Sequence, residues 1–404
     1  MVNEYFDLVT YDGTLEYYIF EFANFSALAF LLLLCYQLKL IQTNALIVWF
    51  GLFFSPLLVN HFLFSPWLFG DQYQYASEVM SLKAGRGNIN SAGNFYSDDA
   101  TNAITFTSKI LAAIPLPNFM TVTSLAFANK LILFATFLWF KRFFKNENEV
   151  LLYFIIPILI LYSSLGLRDT LIMVLSIVFI INLLRRRYIL PLLILYPLFI
   201  LKIQMFAILA LYLLGSLVFQ AHKSKNFFTF FVIILFASSI VFKDQILSIL
   251  NLYRIAFAAE DFVAYDGSIS YEAWALYGPE NIDSLKLNSI FDVIYQSVTK
   301  IPVLLLIPMP WNWSNIFYPL QSIESCLLIY LYVRLCINQS VYRSNEFIFL
   351  TFILLIGLSM YSLIMSNEGT FVRYRFTLFY PFLLGVFYLS NANKENITIN
   401  HKRI

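Results

Sequence analysis

What most constrains this chain is a succession of apolar runs, most of them near membrane-crossing length, that fills much of its 404 residues. A hydrocarbon core of about 30 Å takes roughly 20 apolar residues per helix, and within it every backbone N–H and C=O must be satisfied inside the segment. The runs are 18–39, 44–64, 122–140, 150–164, 168–184, 188–201, 203–220, 227–242, 317–337, 346–366 and 376–390. They predict an all-α, polytopic integral membrane bundle of about eleven spans, a single transmembrane domain over 1–404. A β-barrel would read as alternating segments of roughly ten residues, whereas these runs are continuous and rich in Leu, Ile and Phe. Composition excludes an ordinary soluble enzyme: 60% of residues are hydrophobic and 12% charged, against about 25% charged in soluble domains.

Charge distribution sets the expected orientation. Basic clusters occur at Lys141, Arg142 and Lys145, at Arg185–Arg187, at Lys223 and Lys225, at Arg334 and Arg343, and at Lys394, Lys402 and Arg403. With the N-terminus outside and the C-terminus inside, all five fall on the cytoplasmic side, as the positive-inside rule requires. The first 21 residues carry five acids and no Lys or Arg, the reverse of a signal peptide, so the first helix is expected to be a permanent anchor. The stretch 188–220 decides the scheme. Read as one helix it would bury Lys202 near its middle; read as a hairpin it delivers Lys202 to the outer surface, the reading adopted here.

Two segments on the outer side are long, about 65–121 and 243–316, and segments of that length usually carry function. Prolines 115, 117, 302, 308 and 310 mark short interfacial or re-entrant helices near 102–118 and 298–309. Cys35, Cys326 and Cys336 lie in apolar runs without CxxC spacing and read as small buried hydrophobes. No P-loop, GxSxG or HExxH motif occurs. Neither a metal nor another cofactor is expected.

The candidate chemistry therefore lies at the outer helix ends, at Asp71, Arg168, Asp169, Lys202, Glu368, Arg373 and Arg375. Arginines on that side run against the orientation rule, and their planar fork is suited to bidentate phosphate recognition. Each has a plainer reading: an Arg168–Asp169 ion pair across a tight turn, and snorkelling of Arg373 and Arg375 at a helix end. A carboxylate at Asp71 or Glu368 could take a proton from an acceptor hydroxyl, although Asp71 also reads as the cap of a helix starting near Gln72. His61, the one histidine near the outer face, reads as a polar residue satisfied within the bundle. Tyr73 and Trp274 stand among the outer-segment aromatics whose faces suit sugar rings.

Two motifs resemble a known family: Ser163-Ser164-Leu165-Gly166-Leu167-Arg168-Asp169-Thr170-Leu171-Ile172 and Arg373-Tyr374-Arg375-Phe376-Thr377-Leu378-Phe379-Tyr380-Pro381. They resemble repeat-unit polymerases of the Wzy type, which build O-antigen or capsule, and have the look of multi-spanning GT-C glycosyltransferases. The resemblance implies a multi-pass protein of the bacterial inner membrane with a periplasmic active face. It would polymerise undecaprenyl-diphosphate-linked oligosaccharide in lipopolysaccharide or capsule synthesis, without metal, nucleotide sugar or nucleic acid. It further implies Arg168, Arg373 and Arg375 as diphosphate contacts, and a chain-length-regulating co-polymerase as a partner beside membrane lipid. Two alternatives stay open: a GT-C transferase with a polyprenyl-monophosphate sugar donor, and a flippase for the same lipid-linked substrate.

Overall fold

A computed structural model describes residues 15–63, 71–85, 98–222, 229, 233–234, 237–260, 286–308, 317–337, 344–364 and 368–401. Among the described residues every regular element is helical. Three helices are long and apolar enough to cross a membrane, Tyr17–Gln37, Val122–Phe143 and Asn345–Ile364. Thr43–Leu58, Asp169–Leu184, Ile189–Leu201 and Ile203–Val218 are apolar but shorter. Much of the first two thirds of the expected span 227–242 lies outside the described residues, which resume at 237. The helices gather into two compact units, Met1–Phe179 with Leu192–Phe206, and Ile180–Pro191 with Ala207–Ile404.

The first unit holds α1 (Leu15–Gln37), α2 (Thr43–Leu58), α3 (Asp71–Lys83), α4 (Asp98–Ala112), α5 (Val122–Phe140), α6 (Glu147–Phe154) and α7 (Pro157–Ser163). To these it adds most of α8 (Asp169–Leu184) and of α9 (Ile189–Leu201). Its core is aromatic. Trp49 of α2 is fully buried, with ring centroids 4.9 Å from Phe134 and 5.4 Å from Phe137 of α5. α5 begins with a capping box, Ser124 N donating to Thr121 Oγ1 at 3.1 Å and Thr121 N to Ser124 Oγ at 3.3 Å, which satisfies two backbone donors where the helix cannot. The span expected at 150–164 is instead two short helices. Pro157 opens α7; it has no N–H to give and pushes the residue before it out of the helical region.

The second unit holds α10 (Ile203–His222) from Ala207 onward, α11 (Lys243–Glu260), α12 (Ile290–Leu306), α13 (Phe317–Cys336), α14 (Asn345–Ile364) and α15 (Glu368–His401). α15 absorbs the expected run 376–390 and continues through Pro381. Cys326, expected to be buried, is exposed on α13. Helices occupy most of the described parts of the expected outer segments. These segments contain α3 and α4, then α11 and α12, with α4 and α12 starting at Asp98 and Ile290, earlier than prolines alone indicated.

The chain reverses between α9 and α10. Arg186 Nη2 lies 3.8 Å from Glu346 Oε1 at the start of α14, and the chain returns to that end at Tyr212, whose ring is 5.4 Å from that of Phe349. A straight helix would separate Arg186 and Tyr212 by about 39 Å. The break falls on Lys202, the single residue between the two helices. Its N–H still bonds Leu198 O at 2.8 Å, and Phe206 N bonds its carbonyl at 3.1 Å. This turn is tighter than the usual two to five residues of an αα-hairpin.

Candidate functional site: a clamped arginine loop and a second cationic end

In the first unit, α7 and α8 are interrupted by Ser164–Arg168, an irregular turn among apolar helices. Backbone outside a helix can persist there only where protein groups satisfy it. Three buried side chains, Asn129, Gln72 and Asn60, do so, while Lys130 and Ser55 bond the groups beside them. Asn129 Nδ2 of α5 donates to Leu165 O at 2.7 Å and Leu167 O at 2.9 Å. Its neighbour Lys130 donates to Ser163 Oγ at 2.7 Å and Ile160 O at 3.1 Å, placing its amine against the C-terminal carbonyls of α7, which lack partners within the helix. Gly166 N donates to Gln72 Oε1 of α3 at 2.7 Å. Asn60 Nδ2 donates to Ser164 O at 2.8 Å, and the Ser55 and Ser164 hydroxyls lie 2.8 Å apart. Asn60 belongs to a π-helical turn, Val59–Leu63, that follows Pro56 of α2.

Gly166 is where the loop meets α5 most closely. A Cβ there would lie 2.9 Å from Leu125 Cβ and 3.3 Å from Val122 O. Gly166→Ala is therefore expected to push the loop off α5 and lengthen the Gln72 bond, at about 1–3 kcal/mol. Thermal unfolding of the detergent-solubilised protein measures it, and an unchanged midpoint would contradict the close approach.

This clamp presents Arg168 immediately before Asp169, the first residue of α8. Asp169 is fully buried, in the first helical turn where a negative charge is favoured. Arg168 is half-buried, and its guanidinium makes no ion pair or hydrogen bond among the described residues. The Arg168–Asp169 ion pair considered from sequence is thus absent. Two further polar atoms by the loop, Gln72 Nε2 and Asn129 Oδ1, are buried without a hydrogen bond; together they are one donor and one acceptor.

The basic residues Lys141, Arg142 and Lys145 sit at the opposite end of this unit from Arg168. There Lys141 Nζ bonds Leu40 O and Glu147, and Gln42 N bonds Glu147 Oε1 at 3.0 Å. α5, about 28 Å long for its 19 residues, separates the two ends.

The second unit repeats that polarity. Arg186 lies at the Glu346 end of α14, and the groups around Leu363 lie about 25 Å further along it. At the Leu363 end Arg375 is 1% exposed, with Nη1 donating to Leu305 O at 3.0 Å and Ile307 O at 2.9 Å. Those carbonyls end α12, so Arg375 caps a helix C-terminus and is not displayed to a ligand. Arg373, two residues earlier on α15, is half-buried, beside Tyr374, whose ring stacks on Tyr361 at 5.1 Å.

Other expected site residues fare differently. Lys202, at the α9–α10 turn, is 7% exposed, and Tyr73 is buried within α3, its ring not offered to a sugar. Asp71 and Glu368 are the first residues of α3 and α15. Their side chains, that of His61 and all of Trp274 lie outside the described residues. Among the described residues no group of three or more His, Cys, Asp or Glu could hold a metal ion.

Sequence reading missed the clamp and two cations of the second unit, Arg254 and Lys300. The adjacent polar pair Asn129-Lys130 in the middle of an apolar run was the available signal, since a mid-span ionisable group is a functional flag in its own right. Compared with known proteins, the chain matches no family model, no curated protein and no solved structure.

Proposed function

We propose that this chain is a multi-pass glycosyltransferase of the bacterial inner membrane that polymerises undecaprenyl-diphosphate-linked repeat units at the periplasmic face. The observation that carries the reading is Arg168: a half-buried guanidinium with no hydrogen bond or ion pair among the described residues, on a loop whose backbone is held by three side chains. A cation kept in place yet unneutralised is what a departing phosphate requires. The eleven-span topology belongs to the proposal. In each unit the basic loop lies at the end away from the arginine motif, so the positive-inside rule makes Arg168 and Arg373 outer residues.

In the reaction, an acceptor sugar hydroxyl attacks the anomeric carbon of the lipid-linked glycan. The new glycosidic C–O bond forms as the bond to the diphosphate breaks. The diphosphate leaves with the electron pair, its charge held by Arg168, and the hydroxyl proton passes to Asp71; Arg373 and Glu368 are the corresponding groups of the second unit. No nucleotide or metal enters. A chain-length-regulating co-polymerase is the partner the reading implies.

Arg373→Ala is expected to abolish chain elongation with membrane insertion intact, read as loss of the polysaccharide ladder with a single-unit band retained. A normal ladder would sink the proposal. The engagement of Arg375 with carbonyls favours one second reading, because it leaves fewer cations for a diphosphate: a transferase using a polyprenyl-monophosphate donor. That enzyme would yield a single mass increment in place of a ladder. A flippase, by contrast, would move lipid-linked substrate across vesicles without forming a glycosidic bond.

A further inference from the structure

In each unit a helix at the basic end closes on a cation where glycine would fit best. Among the described residues three have left-handed backbone, Lys39, Gly85 and Arg186, at φ 56°, 70° and 59°. Gly85, just after α3, is the ordinary occupant, because any side chain there crowds the following carbonyl. Arg186 and Lys39 carry that strain. After α8, Arg186 N bonds Leu183 O and Arg187 N bonds Asn182 O, both at 2.9 Å, the paired bonds of a Schellman cap. After α1, Lys39 N bonds Tyr36 O and Leu40 N bonds Cys35 O in the same pattern, again at 2.9 Å.

Capping alone does not account for a cation at this position. The helix dipole favours one anywhere in the last turn, and Arg185 already stands there. Nor do Arg and Lys have the short polar side chain that lets Asn or Asp settle in this backbone. What the apex of the turn provides is projection. The Arg186 side chain is 63% exposed and Arg187 is exposed too, and Ile189 and Leu190, which follow, are 78% and 43% exposed. Lys39 is exposed between Leu38 and Leu40, at 61% and 46%. A cation beside bare aliphatic surface at the end of apolar helices suits the level where acyl chains give way to phosphate.

The charged neighbours of the second turn are Glu346 and Arg185. Glu346 Oε1 lies 3.8 Å from Arg186 Nη2, beyond hydrogen-bond length, so the pair leaves the donors of the fork unspent and contributes little. Arg185 is half-buried with an interaction of its own.

We infer that Arg186 and Arg187 bind the phosphate of an anionic phospholipid. Two guanidinium forks on adjacent residues suit its oxygens, and Ile189 and Leu190 meet the acyl chains, for which a free phosphate has no counterpart. The proposed topology puts this turn at the cytoplasmic leaflet, whose anionic lipids attract basic segments. Lipid binding of this kind needs no turnover and stands apart from the polymerase reading.

The test is thermal unfolding of the full chain in non-ionic detergent at constant ionic strength, titrated with phosphatidylglycerol, phosphatidylcholine or inorganic phosphate. Wild type is expected to gain stability with the logarithm of phosphatidylglycerol concentration, and none with the other two. Arg186→Asn puts a residue at ease in this backbone, and Arg187→Gln leaves the strained position untouched. Each should weaken phosphatidylglycerol binding roughly fivefold. Glu346→Gln, which removes only the neighbouring carboxylate, should bind at least as well as wild type. If Arg186 served only its ion pair, Arg186→Asn and Glu346→Gln would lose ligand-free stability alike and keep the wild-type response to lipid, which would overturn the site. So would no response from wild type, an equal response to phosphatidylcholine or inorganic phosphate, or an undiminished response from Arg187→Gln.

Discussion

Arg168→Gln is expected to cut repeat-unit polymerisation roughly 10²- to 10³-fold, the size of effect seen when one pre-organised charge donor to a developing anion is lost. The folded yield should not change. Among the described residues the guanidinium makes no ion pair or hydrogen bond, and the loop that carries it is held by Asn129, Gln72 and Asn60 through backbone groups. Arg168→Lys should recover only part of the activity, since an ammonium keeps the charge but not the bidentate geometry. Polymer profiles from membranes of matched protein content measure this. A variant with wild-type ladder length and amount would remove Arg168 from the reaction.

Arg375→Met is expected to act the other way, on folding. Its loss strips two charge-assisted hydrogen bonds from Leu305 O and Ile307 O, 3.0 and 2.9 Å away, and leaves the end of α12 without its cap. Charged hydrogen bonds contribute about 1.5–3 kcal/mol each, so a loss of about 3 kcal/mol or more is expected. The unfolding temperature and the monodisperse yield should fall together, while turnover per folded molecule stays close to wild type. A stable but inactive Arg375→Met would instead return this arginine to the substrate.

These contrasting fates mark where the sequence could be read. Arg373 and Arg375 look equivalent as an i, i+2 pair at a helix end, yet residues two apart point to different sides of a helix. One meets the end of α12, 68 to 70 residues earlier in the chain, and nothing local records that meeting. The reversal at Lys202 was legible, because the energetic cost of a charge in the middle of a long apolar run is a local quantity. The break at Pro157 was present in the sequence and passed over, since continuous hydrophobicity hides a missing N–H.

The sequence by itself determined the helical class and the segregation of charge to the helix ends. Both follow from composition and period, which hydrophobic burial and backbone hydrogen bonding turn directly into structure. Only the tertiary structure decided which cations remain available. Arg375 is engaged by carbonyls, Arg254 by Leu363 O and Gln296, and Arg168 on its clamped turn makes no ion pair or hydrogen bond among the described residues. Availability depends on partners that lie tens of residues away in the chain, and those partners are brought together by packing, not by spacing.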